Sequence, residues 1–340
     1  MMSGPQPVEV RVAVAGEALM DLVQQADGRL QPSMGGAPFN LSRALARQAM
    51  GVAYLNPLSM DRYGRLLAWQ LAQEGVQCLQ TTPAGQPTAL ALVGVDEQGQ
   101  PAYTFYREQV ADRAVSAQEL NASCAALPAL EVVCTGGLAL APADAGIYLP
   151  WLRKQQAAGC WVVVDANMRP GAMPDLAAYR SHVMQVLSLA HLVKVSDEDL
   201  EALAVPGDDP LSRAQSLMAS LPLQMMALTL GDRGAVLLLR QQGKLGCIAA
   251  REARPVPVID TVGAGDCFLA GLLTRGLGQA RLHGLPLARC LEQMDRQDFQ
   301  GLMAHALASA TLNVQRTGCQ PPYLHEVIER LQAHPLQWDP

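Results

Sequence analysis

What the chain lacks narrows its function first. No block of Lys or Arg occurs and the formal net charge is −6, so nucleic acid is not an expected partner. No apolar stretch reaches the roughly 20 residues needed to cross a bilayer. The first residues, Met1-Met-Ser-Gly-Pro-Gln-Pro7, have neither a basic start nor an apolar signal core. A cytoplasmic protein without a membrane partner is the expectation. The eight cysteines form no C-x-x-C pair and have mostly apolar neighbours, as in Val133-Cys134. Buried, reduced thiols are expected. Six scattered histidines offer no H-x-x-x-H spacing, which removes a histidine-based metal site. No G-x-G-x-x-G follows a strand pattern and no G-x-x-x-x-G-K-[ST] occurs, so a Rossmann dinucleotide site and a P-loop both lose support.

Aromatics are scarce too, at 4%, while half of the 340 residues are hydrophobic. Alanine and leucine dominate, which favours helices packed on a sheet. Strand patterns at 10–15, 51–55, 132–134, 161–165, 192–195, 225–230 and 235–239 alternate with helical ones, including 39–47, 64–74, 143–156 and 197–203. Strands spaced by helices predict an α/β fold with a mostly parallel central sheet covered on both faces. Two segments break the series. Residues 17–34, turning at Ala26-Asp27-Gly28-Arg29, and 86–110, turning at Asp96–Gln100, read as hairpins. They predict a small separate sheet placed like a lid.

The most informative string is Pro255-Val-Pro-Val-Ile-Asp260-Thr-Val262-Gly263-Ala264-Gly265-Asp266, followed by the apolar run Cys267–Leu273. It reads as a short strand, a glycine-rich turn and a buried helix. Bare backbone at 263–265 lets several N–H groups converge on one anion at the positive helix end. Asp266 projects from the first turn, where a carboxylate would repel that anion unless it serves as a general base. Gly-x-Gly before a helix is common, and an Asp there often only complements the dipole. The longer Asp-Thr-x-Gly-Ala-Gly-Asp string is far more specific.

That string resembles the C-terminal signature of the ribokinase-like (PfkB) carbohydrate kinases, and the likeness extends over about residues 8–325 as one domain, leaving 326–340 as a tail. The resemblance implies a large α/β domain that carries ATP and a β-sheet lid that closes over a sugar. It assigns Asp266 as base and Gly263, Ala264 and Gly265 as anion hole. On the sugar side it implies Asp21, which would grip two hydroxyls, the pair Gly35-Gly36, and Asn40. Phe105-Tyr106-Arg107 and Asp165-Ala-Asn167-Met-Arg169 resemble the fructokinase and 2-keto-3-deoxygluconate kinase branches. Tyr106, Arg107 and Asn167 are then implied on the substrate, and Arg169 beside the phosphoryl path.

For the nucleotide, the resemblance implies Lys194, Ser196, Thr229, Gly231, Gly234 and Asn313. Mg²⁺ would be organised through water by Asp199, one methylene shorter than the family's Glu. Asp260 and Val262 match positions where relatives hold a monovalent cation such as K⁺. Gly-Gly-Ala-Pro-x-Asn and Lys-Val-Ser lean toward fructokinases, so fructose to fructose 6-phosphate is the expected reaction. A 2-keto-3-deoxygluconate kinase remains the alternative, and a non-catalytic sugar- or nucleotide-binding regulator a more distant one. A homodimer that pairs two lid sheets is expected from the partly uncovered apolar face.

Overall fold

The computed structural model describes residues 9–25, 27–95, 101–241 and 243–338. The turn expected at Asp96–Gln100, Ala26 of the other expected turn and the first eight residues lie outside them. The chain opens with β1 (Val10–Val14), β2 (Leu19–Gln24), β3 (Leu30–Gly35), α1 (Ala37–Arg47), β4 (Gly51–Tyr54), α2 (Arg62–Gln73) and β5 (Gln77–Cys78). It continues with β6 (Ala89–Val95), β7 (Pro101–Tyr106), α3 (Ala117–Ala125), β8 (Val132–Gly136), α4 (Ala145–Ala157), β9 (Trp161–Asp165) and α5 (Leu176–Leu187). Next come β10 (Leu192–Ser196), α6 (Asp197–Ala202), α7 (Pro210–Ser220), β11 (Met225–Thr229), β12 (Ala235–Gln241) and β13 (Lys244–Glu252). Helices α8 (Ala264–His283), α9 (Leu287–Gln293), α10 (Arg296–Val314) and α11 (Leu324–Ala333) precede β14 (Leu336–Trp338).

Ten strands form one sheet in the order β14-β13-β12-β11-β10-β9-β8-β1-β4-β5. From β5 to β11 every pairing is parallel. The strand composition explains its central position. Val-Val-Cys-Thr-Gly of β8 and Trp-Val-Val-Val-Asp of β9 are buried at every residue, which suits strands covered on both faces. Alternate residues serve different layers. Val12 and Val14 of β1 join the core under α1, α8 and α10, whereas Ala13 and Ala15 join the core under α4, α5 and α7. From β1 the chain moves outward to β4, and later returns to β8 on the other side of β1. That reversal places a crevice at the carboxyl ends of β1 and β8, where open α/β sheets bind ligands.

The second sheet has the order β3-β2-β6-β7. The hairpins β2–β3 and β6–β7 are antiparallel, and β2 meets β6 in parallel, with Leu19 opposite Ala89. The two out-of-step segments therefore do form one small sheet, as the sequence predicts.

Three expectations need correction. Residues 255–259 form no strand; Pro255 and Pro257 have no N–H to give to a ladder. β12 returns antiparallel to β11 through the turn Gly231–Gly234 rather than continuing the parallel series. β13, absent from the sequence reading, pairs with β12 and then with β14. The last helix and strand thus carry the sheet's edge past residue 325.

Candidate active site

Helix α8 begins at Gly263, whose φ of 76° is left-handed and whose missing Cβ would lie 2.2 Å from Cys319 Sγ. Only glycine meets both conditions. No side chain caps this helix. Ala264 N–H bonds back to Thr261, but the amides of Gly263, Gly265 and Asp266 have no acceptor among the described residues. Three donors at a positive helix end make a site for an anion. A Cβ on Gly265 would fall 2.7 Å from Lys194 Nζ, so a buried ammonium stands against the same cradle. Lys194 gives bonds of 2.9 and 3.1 Å to the two oxygens of Asp165, at the end of β9. Burial pushes the ammonium down, yet the charges of Asp165, Asp199 and Asp266 outweigh it and keep Lys194 protonated.

Asp266 is buried in the first turn of α8, where its Oδ2 accepts a 3.0 Å bond from Asn40 Nδ2. Burial pushes its carboxyl up to about 7, the charge of Asp165 adds to this, and Lys194, Asn40 and Arg169 oppose it. A base with such a value is half-ionised near neutrality, which is where general-base efficiency peaks. Asn40 comes from α1, whose turn Gly36-Ala37-Pro38 leaves the lid directly after β3. The remaining amide oxygen of Asn40, Oδ1, is buried without a donor.

The lid side of the crevice carries Asp21, in the middle of β2. Its carboxylate lies against Gly35, whose Cβ would reach within 2.2 Å of Oδ2. Burial raises Asp21 to about 6, Arg169 lowers it and Glu17 raises it. Strand alternation puts Asp21, Ala91 and Phe105 in register on one face. Tyr103 stacks on Phe105 with ring centroids 5.9 Å apart and shares that face. Tyr106 does not: it is 58% exposed and on the opposite side of β7. Tyr103, not singled out in the sequence, is the aromatic that stands near Asp21 and Arg169. Alternation from Asp21 was the signal that would have found it.

Other sequence candidates serve as braces. Asn167 has a left-handed φ of 34°, and Arg169 Nη1 donates to the carbonyls of Asn167 and Met168. Ser196 caps α6, and Asp199 closes the capping box while accepting 2.6 and 2.8 Å bonds from the amides of Met168 and Ser196. Asp260 accepts from the amides of Val262 and Gly318. Asn313 is fully buried, donates to the Val262 carbonyl and accepts from Gln320. Together Asp260 and Asn313 pin the glycine turn against the loop after α10. Thr229 ends β11, and Gly231 and Gly234 form the hairpin turn beside it. Arg107 turns inward from the end of β7 to Leu138, Asp112 and Asp144. No group of three His, Cys, Asp or Glu side chains is arranged to hold a metal ion directly among the described residues.

The arrangement joins a buried carboxylate to an anion cradle and to a lid wall that carries Asp21. Residues 10–326 match the model of the pfkB family of carbohydrate kinases. This chain belongs to that family. It is an ATP-dependent carbohydrate kinase. A fructokinase of Klebsiella pneumoniae is 31% identical over 81% of this chain and 86% of that protein. A fructokinase of Vibrio alginolyticus is 31% identical over 77% of this chain and 83% of its own length. Among solved structures, the fructokinase of Xylella fastidiosa with bound ATP superposes on the kinase with a TM-score of 0.80 at 28% identity, covering 95% of this chain and 98% of that one.

Proposed function

We propose that the kinase transfers the γ-phosphoryl group of ATP to the primary hydroxyl of fructose. The observation that carries the mechanism is Asp266, buried, bonded to Asn40 and placed in the first turn of a helix where the amides of Gly263, Gly265 and Asp266 have no acceptor among the described residues. Asp266 takes the hydroxyl proton while the freed oxygen attacks the γ-phosphorus and ADP leaves. The amides of Gly263, Gly265 and Asp266 stabilise the charge on the transferring group, with Ala264 shaping the turn between them. Lys194 and Arg169 supply positive charge on either side of the path. Asp21, the Gly35-Gly36 turn and Asn40 hold sugar hydroxyls, and Asn167 joins them. Fructose is preferred over 2-keto-3-deoxygluconate because the relatives matched above are fructokinases, and because Asp21 suits neutral hydroxyls.

Thr229, Gly231 and Gly234 line the nucleotide side, while Ser196 and Asn313 act there through the loops they hold. The residues fit nucleotide phosphates, since a Cβ at Gly265 would crowd the cradle beside the Lys194 ammonium. Mg²⁺ entering with the nucleotide would keep most of its waters, and those are what Asp199 would contact; the ion would neutralise phosphate charge. A monovalent cation would sit by Asp260 and the carbonyl of Val262. The outer lid face, with Tyr106 and Leu30 exposed, would pair with a second copy to make a homodimer.

The test is a phosphorylation screen over fructose, other hexoses, ribose, nucleosides and 2-keto-3-deoxygluconate. Fructose should give a kcat/KM at least about tenfold above the acid sugar, about 1.4 kcal/mol in transition-state binding. The reverse order would assign the chain to acid-sugar phosphorylation.

A further inference from the structure

Beside the sugar wall lies a buried charge cluster that the phosphoryl-transfer chemistry does not use. Arg107, just beyond β7, donates from Nη1 to the Leu138 carbonyl at 3.1 Å. Its Nη2 stands 3.6 Å from Asp112 Oδ2 and 3.7 Å from Asp144 Oδ2, and the three side chains are 11%, 2% and 1% exposed. Arg113 donates to the other oxygen of Asp144 at 2.7 Å and to the Arg107 carbonyl at 2.8 Å, so the backbone of Arg107 is held as well. Glu17, a short way beyond β1, faces the same guanidinium. Its Oε1 accepts from Ala37 N at 3.3 Å, in the turn that carries the sugar-side glycines, and its Oε2 is buried without a donor.

Glu17, Asp112 and Asp144 thus set three carboxylates against the two guanidinium groups of Arg107 and Arg113. Both oxygens of Asp112 are buried without a hydrogen-bond donor, and Arg107 is its ion-pair partner. Burial lifts Asp112 to about 7, so one proton brings the cluster to neutrality. With all three carboxylates ionised, or with Asp112 alone protonated, Arg107 offers no net positive charge.

The geometry points to Asp112 and Asp144 as specificity-determining residues: they cage the guanidinium of Arg107 and set the pocket against sugars that bear a carboxylate. This inference deepens the sugar-kinase reading above and rests on it. An acid sugar entering beside Asp21 meets a cluster already neutral or negative, and buried charge without a partner is strongly disfavoured. A neutral sugar meets no such opposition. Arg107 then acts as a positioning residue, tying β7 of the lid to the Leu138 turn and to Asp144 before α4.

The experiment compares the parent with Asp112→Asn at pH 8.5, where Asp112 of the parent is ionised, in a coupled assay using fructose and 2-keto-3-deoxygluconate. Removing one buried charge should narrow the fructose-to-acid ratio of kcat/KM at least about tenfold, mainly through a lower KM for the acid sugar. A parent that prefers the acid sugar would overturn both the fructose reading and the cage. A parent that prefers fructose, with a variant ratio within about threefold of it, would overturn the cage alone. Gluconate competition against fructose in the parent gives a readout that needs no variant. A Ki at least about tenfold above the fructose KM supports the cage, and a Ki close to that KM overturns it even if Asp112→Asn does not fold.

Discussion

Replacing Asp266 by Asn should slow the enzyme and, above pH 7, make it more stable. The kinetic half comes from the chemistry: an amide cannot accept the hydroxyl proton, so turnover should fall by about 10²–10⁴, with ATP and sugar binding nearly unchanged. The stability half comes from burial. The carboxyl moves from its ordinary 3.8 to about 7 in the folded protein, and each tenfold change in proton affinity corresponds to about 1.4 kcal/mol. A raised folded-state value means that the folded form binds the proton more tightly. The parent therefore loses stability as pH rises from about 4 and has lost the full amount once pH exceeds about 7. The loss approaches about 4 kcal/mol at pH 8 and is only about 1.5 kcal/mol at pH 5. Asn carries no such charge. Its gain over the parent should be about 2–3 kcal/mol larger at pH 8 than at pH 5, read from urea midpoints at the two values. Equal differences at both pH values would refute the burial argument, and turnover within tenfold of the parent would remove Asp266 from the role of base.

The same carboxyl should govern the parent's pH profile: kcat/KM for fructose should rise through an ionisation near 7 from Asp266, with Asp21 adding one near 6, and a profile flat from pH 5.5 to 8.5 would contradict this. Gly263→Ala should cost more than about 2 kcal/mol and most activity, since φ is left-handed and the new methyl meets Cys319. Gly278→Ala in the same helix, where a Cβ meets nothing within 4 Å, should instead stabilise by up to about 1 kcal/mol; thermal melts of the pair decide whether local geometry or mere glycine loss is responsible. Light scattering at micromolar concentration should give the mass of a dimer, and Tyr106→Glu should shift it to a monomer; a monomeric parent would sink the lid-pairing reading.

Local signals carried the fold well where each strand had its own period and bounds. The fully buried runs of β8 and β9, and the Gly-Ala-Gly-Asp turn into α8, were legible because short-range sterics and apolar pattern decide them. The antiparallel course of β12 was less so. A hairpin is told from a crossover by its partner strand, and here that stretch of chain gives a weak signal, since Lys244–Glu252 mixes exposed polar and apolar residues. Two prolines overrode the apolar look of 255–259. In the site, the glycine cradle could be read from one contiguous string. The partnership of Asn40 with Asp266 could not, because 226 positions separate them. No local pattern marks Glu17, Asp112 or Asp144; only tertiary packing makes them buried charges around Arg107. Asp199 and Asn313 had visible identities but hidden duties, as each spends its polar atoms on backbone groups.

The parallel seam between β2 and β6 carries a consequence for synthesis on the ribosome. β2 can fold back on β3 as soon as both emerge, but its other edge stays open until Ala89 and its neighbours are made. Until then the chain presents Leu19-Met-Asp-Leu-Val23 with unpaired backbone groups, the kind of edge that invites another nascent copy. Asp21 sits at the centre of that run, where a charge discourages strand-to-strand stacking. The residue proposed to hold the sugar in the finished enzyme would thus also guard the half-made lid, and neutralising it should lower the yield of soluble protein during expression even where folded stability is unharmed.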